Sequence, residues 1–211
     1  MKFKQHIEVG KYLYEQLEKD NKINRIAYLF GNVAPDLNCV YPAHRLRTTE
    51  KRFYKRLVRI DNTHFNILKS FTLGVVTHYI CDYFCYAHSI ESLGIKHKIY
   101  ETNLYNYYNM HLQEIQDTKN RLRDAWKSSE LHNKYMNSID DELTSKQHCD
   151  MILEQVKIMN KLYMDKSEGS LDKNWMYLSE QMKRDLEYAS FMTESILRLI
   201  LQPYTCSAIH G

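Results

Sequence analysis

Proline and glycine are scarce in this chain, at 3 and 6 of 211 residues. So few turn formers speak against a many-turned β-sandwich and for long helices with short connections. No run of 18 apolar residues occurs, so no transmembrane helix is expected. The opening stretch MKFKQHIEVGKYLYEQL lacks the apolar core and small-residue cleavage site of a signal peptide, and a cytoplasmic location is the expectation. Charge of one sign is lacking too: 29 basic against 26 acidic residues leave +3, too balanced to argue for nucleic acid from charge alone. The five cysteines (Cys39, Cys81, Cys85, Cys149 and Cys206) are odd in number and without zinc-ribbon spacing, so free thiols are expected.

Apolar residues make up 44% of the chain, enough for one substantial core. The 17 tyrosines are read as aromatic packing with wet or hydrogen-bonded hydroxyls, in preference to a lipid-facing surface. The basic run Arg45, Arg47, Lys51, Arg52, Lys55, Arg56 and Arg59 is read first as a solvated helix face and second as an attractor of phosphate groups.

Apolar spacing predicts an amphipathic helix over 3–19, through Phe3, Val9, Leu13 and Leu17. A second helix is expected over 22–30, stopped by Gly31-Asn32, with Ala34-Pro35-Asp36 extended because a residue before proline avoids the helical region. Residues 37–47 read as loop, and Thr48 or Thr49 as the cap of a helix over 50–59. Asp61 or Asn62 then opens the strongest helix, 63–86, apolar nearly all round and hence central. Residues 87–95 read as a connection, 96–128 as one long helix, and 139–166 and 172–201 as two more, hinged at Glu168-Gly169-Ser170. Without repeats, low-complexity tracts or linkers, the expectation is an all-α, single-domain multi-helix bundle over 1–211, with a metal cluster between helices.

The chemistry sits in the central helix. His78 and Asp82 are four residues apart, so both side chains lie on one face and can reach one ion. That helix is too apolar to bury two polar groups without a partner, and either a metal or a mutual hydrogen bond would satisfy them. His88 follows, and His97 and Glu101 repeat the same spacing. Nitrogen and carboxylate groups without thiolates suit catalytic zinc, with open positions for water. Upstream lie His6, within an apolar helical face, Asp36 after Pro35, and His44; each alone reads more readily as structural.

The strings GNVAPD, AHRL and FTLGVVTHYICDYFCYAHS, with the His97–Glu101 pair, strongly resemble the zinc-dependent phospholipase C family over about residues 1–105. His6, Asp36, His44, His78, Asp82, His88, His97 and Glu101 appear in the family's order. The resemblance implies one zinc on Asp36, His44, His78 and Asp82, and a second on His88, His97 and Glu101. It implies a third zinc on His6, with Asp82 as a bridge. Secreted members complete that third site with a terminal Trp, which this chain lacks, so two or three ions are expected. His64 competes with His44 as a ligand. His111 and Glu114 lie about 20 Å further along their helix by its rise and are not expected to join.

The implied activity is zinc-dependent hydrolysis of a phosphodiester, phospholipase C-like, by a zinc-bound hydroxide attacking phosphorus, with Asp36 as catalytic proton acceptor. The substrate is then a phospholipid or another phosphodiester, with peripheral membrane contact. Two alternatives stay open. The fungal single-strand nucleases share the fold and metal arrangement, which leaves a nuclease or nucleotidase acting on nucleic acid. The other alternative is a non-catalytic helical metal-binding protein. The helices of 106–211 are expected to complete the bundle.

Overall fold

The structure, a computed structural model, describes residues 3–17, 22–37, 45–63, 66–89, 95–127, 133, 144–168 and 179–201. Its elements are α1 (Phe3–Leu17), α2 (Arg25–Leu37), α3 (Leu46–Asp61), α4 (Asn66–Tyr83), α5 (Tyr86–Ser89), α6 (Ile95–Met110), α7 (Leu112–Lys127), α8 (Ser145–Glu168) and α9 (Ser179–Leu201). Among the described residues there is no strand, and the all-α class holds.

α4 is the axis of the bundle. Every residue from Thr72 through His88 is buried, as an apolar circumference requires. α1, α2, α3, α5 and α9 all pack against α4. The tightest of these contacts is with α2. A Cβ on Gly31 would run into the carbonyl of Phe71, and one on Gly74 into the carbonyl of Tyr28, so the two backbones meet where neither carries a side chain.

That contact corrects the expected stop at Gly31-Asn32. α2 continues through Gly31, Asn32 and Pro35 to Leu37, and Gly31, Asn32, Val33 and Pro35 are all buried. Packing against α4 outweighs the glycine's helix penalty of about 1 kcal/mol. Pro35 falls in the last turn, where its missing N–H removes a single helical bond. Asp36 therefore stands on the final turn of a helix and not on an extended loop.

Other boundaries also move. α3 begins at Leu46, before the threonines expected to cap it; Thr48 Oγ1 and Thr49 Oγ1 instead donate back to the Arg45 carbonyl at 3.0 and 2.6 Å. Asp61 ends α3 and Asn62 caps its C-terminus, so neither opens the central helix. Lys51, Arg52, Lys55 and Arg59 of the basic run are exposed on α3, as a solvated face should be. The helix expected over 96–128 bends at His111 into α6 and α7, although His111 N–H still reaches Tyr107 O and Ile115 N–H reaches His111 O, both at 3.0 Å. The connection after α4 contains the short α5. The expected 139–166 and 172–201 helices are seen as α8 and α9, with residues 139–143 and 172–178, like 169–170 of the hinge, outside the described residues. Cys81, Cys85 and Cys149 are free and buried. Among the described residues no helix is long and apolar enough to cross a membrane.

Candidate metal centre

Five helices bring ligand-type side chains together around Asp82. α1 supplies His6, the end of α2 supplies Asp36, α4 supplies His78 and Asp82, and α5 with α6 supplies His88, His97 and Glu101. Asp82 is fully buried between two groups. Its Oδ1 lies 3.3 Å from His6 Nε2 and 3.6 Å from His88 Nε2, while Oδ2 lies 3.2 Å from His78 Nε2.

On one side, ligand atoms of His6, Asp36 and His78 lie within 4.8 Å of one another. Asp36 Oδ1 is 3.6 Å from His78 Nε2, and Oδ2 is 4.0 Å from His6 Nε2. The two imidazoles stack with centroids 3.9 Å apart. On the other side, Glu101 Oε1 lies 3.3 Å from His88 Nε2 and 3.2 Å from His97 Nε2. The i, i+4 spacing of His97 and Glu101 delivers the contact read from the sequence.

The backbone aims these rings. His78 Nδ1 sits 3.0 Å from the Asn32 carbonyl. A proton donated there leaves the Nε2 lone pair facing Asp36 and Asp82, the arrangement that metal-binding histidines use. Asn32 also donates from Nδ2 to the His6 carbonyl at 2.5 Å, tying α1 to α2 beside the site. Because α2 passes through Asn32 as a helix, one residue holds both histidines in place.

Burial, and next the neighbouring His78, push the His6 imidazole down to about 3. Burial is also the largest cause that lowers His88 to about 4. Both are neutral at physiological pH, the form that offers a lone pair to a metal. Burial alone would raise the Asp82 carboxyl, but the imidazoles of His88, His78 and His6 hold it well below the ordinary carboxylate range. Glu101 is likewise lowered, its burial outweighed by hydrogen bonds from His88 and His97.

The donor set fits zinc on two observations. Nε2 of the fully buried His6 makes no aligned hydrogen bond although Asp82 Oδ1 lies 3.3 Å away, a contact that a metal between the two atoms would satisfy. The nitrogen–oxygen separations of 3.2 to 3.6 Å between Asp82, His6, His78 and His88 also match the ~3.3 Å between two atoms that bind one tetrahedral zinc at about 2.0 Å.

A family model described as zinc dependent phospholipase C matches residues 5–155. The chain belongs to the zinc-dependent phospholipase C family. Searches of curated proteins and of solved structures give no match. The family is one of all-α hydrolases, in keeping with the helices described here.

Seven of the eight residues singled out from the sequence of this family member lie at the two groups. The eighth, His44, and its rival His64 lie outside the described residues. The family resemblance implies a third zinc on His6 with Asp82 as a bridge; His6 Nε2 lies 3.3 Å from Asp82 Oδ1, and a ligand atom of His6 also groups with those of Asp36 and His78. His111 and Glu114 pair with each other at 3.3 Å on the surface, and Glu114 also pairs with Lys183.

Sequence reasoning missed Asp185 on α9. It is fully buried and accepts four hydrogen bonds: from Tyr86 N–H at 2.8 Å, Tyr100 Oη at 2.6 Å, Tyr163 Oη at 2.6 Å and Gln181 Nε2 at 2.6 Å. It thereby closes the N-terminus of α5 below His88 and anchors α6 next to Glu101. The signal was an acidic residue between Met182, Leu186 and Ala189, on the side of α9 that the apolar pattern turns inward.

Proposed function

We propose that this chain is a zinc-dependent phosphodiester hydrolase acting on phospholipids in the manner of a phospholipase C. The observation that carries the reading is the position of Asp82, whose two carboxylate oxygens face histidines of both groups. His6, Asp36, His78 and Asp82 would hold metal on one side, and His88, His97 and Glu101 on the other, with His44 as a further ligand.

Zinc bound there supplies a Lewis acid for the phosphate oxygens and acidifies water. The protein supplies the rest. The neutral imidazoles of His6 and His88 keep their nitrogens available for metal, while the buried Asp82 and the partly buried Glu101 balance its charge. The Asp36 side chain is 26% accessible, unlike the fully buried Asp82, so Asp36 is the carboxylate that reaches solvent and can take a proton from an attacking water. In this reading the whole chain is one unit, because Asp185, beyond the family match, ties α9 to α5 and α6.

The test is a substrate panel on zinc-loaded protein: a phosphatidylcholine analogue, single-stranded DNA and a 3′-nucleotide, with metal content measured in parallel. Release of a phosphorylated head group from the lipid supports the reading. Hydrolysis confined to nucleic acid or nucleotide overturns the lipid substrate. Stoichiometric zinc with no phosphoester hydrolysed overturns catalysis.

A further inference from the structure

Away from the metal centre, α2 and α4 leave large apolar side chains in water. Ile26 is 82% exposed, Phe30 55% and Ile67 52%. With Ala27, Leu68 and Phe71 they line a hollow of about 610 Å³. Ile26, Phe30 and Leu37 share one face of α2, four and eleven residues apart, and Leu37 is 57% exposed. This apolar stripe therefore runs about 17 Å along the helix and ends beside Asp36.

The flank of the patch is basic. Lys22, Thr63, Asn66, Lys69 and Ser70 line a second hollow of about 390 Å³. The two hollows are neighbours: Asn24 and Ser70, one from each lining, are joined by an Asn24 N–H to Ser70 Oγ hydrogen bond at 2.9 Å. Arg25 is exposed next to Ile26, with its guanidinium 5.7 Å from the centre of the Tyr14 ring. Among the described residues no carboxylate pairs with Lys22, Arg25 or Lys69.

Contiguous exposed apolar surface marks an interaction site. Its cations identify the occupant. A second copy packed face to face about a two-fold axis would set Lys22, Arg25 and Lys69 against themselves. An anionic lipid surface would instead take the apolar groups at its acyl boundary and the cations at its phosphates. We propose that the surface formed by Lys22, Arg25, Ile26, Phe30, Ile67 and Lys69 docks this protein on an anionic phospholipid bilayer. Docking brings the end of α2 that carries Asp36 to the lipid. Only that consequence rests on the phospholipase reading, since docking itself needs no hydrolysis.

The test is co-sedimentation of the full chain with vesicles of phosphatidylcholine alone and of phosphatidylcholine mixed with phosphatidylglycerol. The protein should pellet with the mixed vesicles and be released by high salt. F30S with I67S, and separately K22E with K69E, should each weaken binding about tenfold or more, each cation contributing about 1 kcal/mol near such a surface. All four positions lie outside the metal centre, so melting temperature, zinc content and hydrolysis of a soluble monomeric phosphodiester should match the wild type. Wild-type protein that stays in solution with the mixed vesicles overturns the proposal. So do variants that pellet like the wild type, or a lipid-free dimer that F30S dissolves. If no phosphodiester is cleaved by any protein while vesicle binding follows the pattern above, the catalytic reading fails and the docking surface stands.

Discussion

The Tyr100 hydroxyl donates to Asp185 Oδ2 at 2.6 Å, and that oxygen also accepts the N–H of Tyr86 at 2.8 Å. One buried carboxylate on α9 thus fixes the spacing between α5, which carries His88, and α6, which carries His97 and Glu101. Asp185→Ala would remove the buried acceptor shared by the Tyr86 N–H and the Tyr100 and Tyr163 hydroxyls, at about 1–3 kcal/mol for each hydrogen bond lost in the core. The expected result is a loss of about 3 kcal/mol or more in urea unfolding. Zinc titration should show weaker binding at the His88–His97–Glu101 group, with the His6–Asp36–His78 group unchanged. Equal weakening of both groups would count against this spacing role.

The metal-free protein should become more stable as pH rises from about 4 to 6.5. Burial holds His6 near 3 and His88 near 4, against 6.5 in the unfolded chain, so across that window the unfolded state binds two more protons at these sites. Asp185 opposes this, because burial lifts its carboxyl from 3.8 to about 6 and the folded state keeps a proton that the unfolded state has lost. The two histidines outweigh the one carboxyl, and Asp82 and Glu101, held low in the folded state, act with the histidines at the acid end, so stability should rise with pH across the window. Denaturant unfolding at pH 4.5, 5.25 and 6 measures the slope. His6→Gln should flatten it, and an unchanged slope in that variant would remove His6 as a cause.

Zinc stoichiometry should separate the two groups. Among the described residues His97 groups with Glu101 and His88, so His97→Ala should release about one ion per chain. Asp82 faces His6, His78 and His88 together, so Asp82→Asn should weaken every ion bound. Metal analysis after dialysis reads both outcomes. A D82N protein that keeps its full zinc complement would show that Asp82 only braces the histidines.

The local order of the site was legible because it is written in helical periodicity. His78 with Asp82 and His97 with Glu101 meet at i, i+4, and the apolar circumference of 63–86 announced a buried axis. What escaped depends on partners distant in sequence. Gly31-Asn32 reads as a stop until Gly74, on another helix, is seen to receive it. α5 exists because Asp185, 99 residues on from Tyr86, accepts its first N–H. The bend at His111 has no sequence mark, since helical hydrogen bonds run through it.

Gly74→Ala should cost more than an ordinary helix substitution, although alanine is the better helix former. The new Cβ would overlap the Tyr28 carbonyl and press on the Asn32 amide nitrogen, so α2 must shift. Overpacking of this kind costs about 1–3 kcal/mol. The shift would also draw the Asn32 carbonyl from His78 Nδ1. Thermal melting should fall, and zinc affinity at the His6–Asp36–His78 group should fall with it. A protein of raised stability and unchanged affinity would refute the close contact.

Asp36→Asn tests the proton step apart from metal binding. Asp36 lies farther from its imidazoles, at 3.6 and 4.0 Å, than Asp82 does at 3.2 and 3.3 Å. An amide oxygen keeps the shape and one weak ligand atom but cannot take a proton, so zinc content should fall little while kcat falls about 10²-fold or more. The pH profile separates the two roles. If Asp36 accepts the proton, the acid limb of kcat should flatten in D36N, whereas a ligand role alone would lower the rate uniformly and leave the limb in place. Full activity with full zinc would end the case for Asp36 as the base and leave it as a charge at the rim of the site.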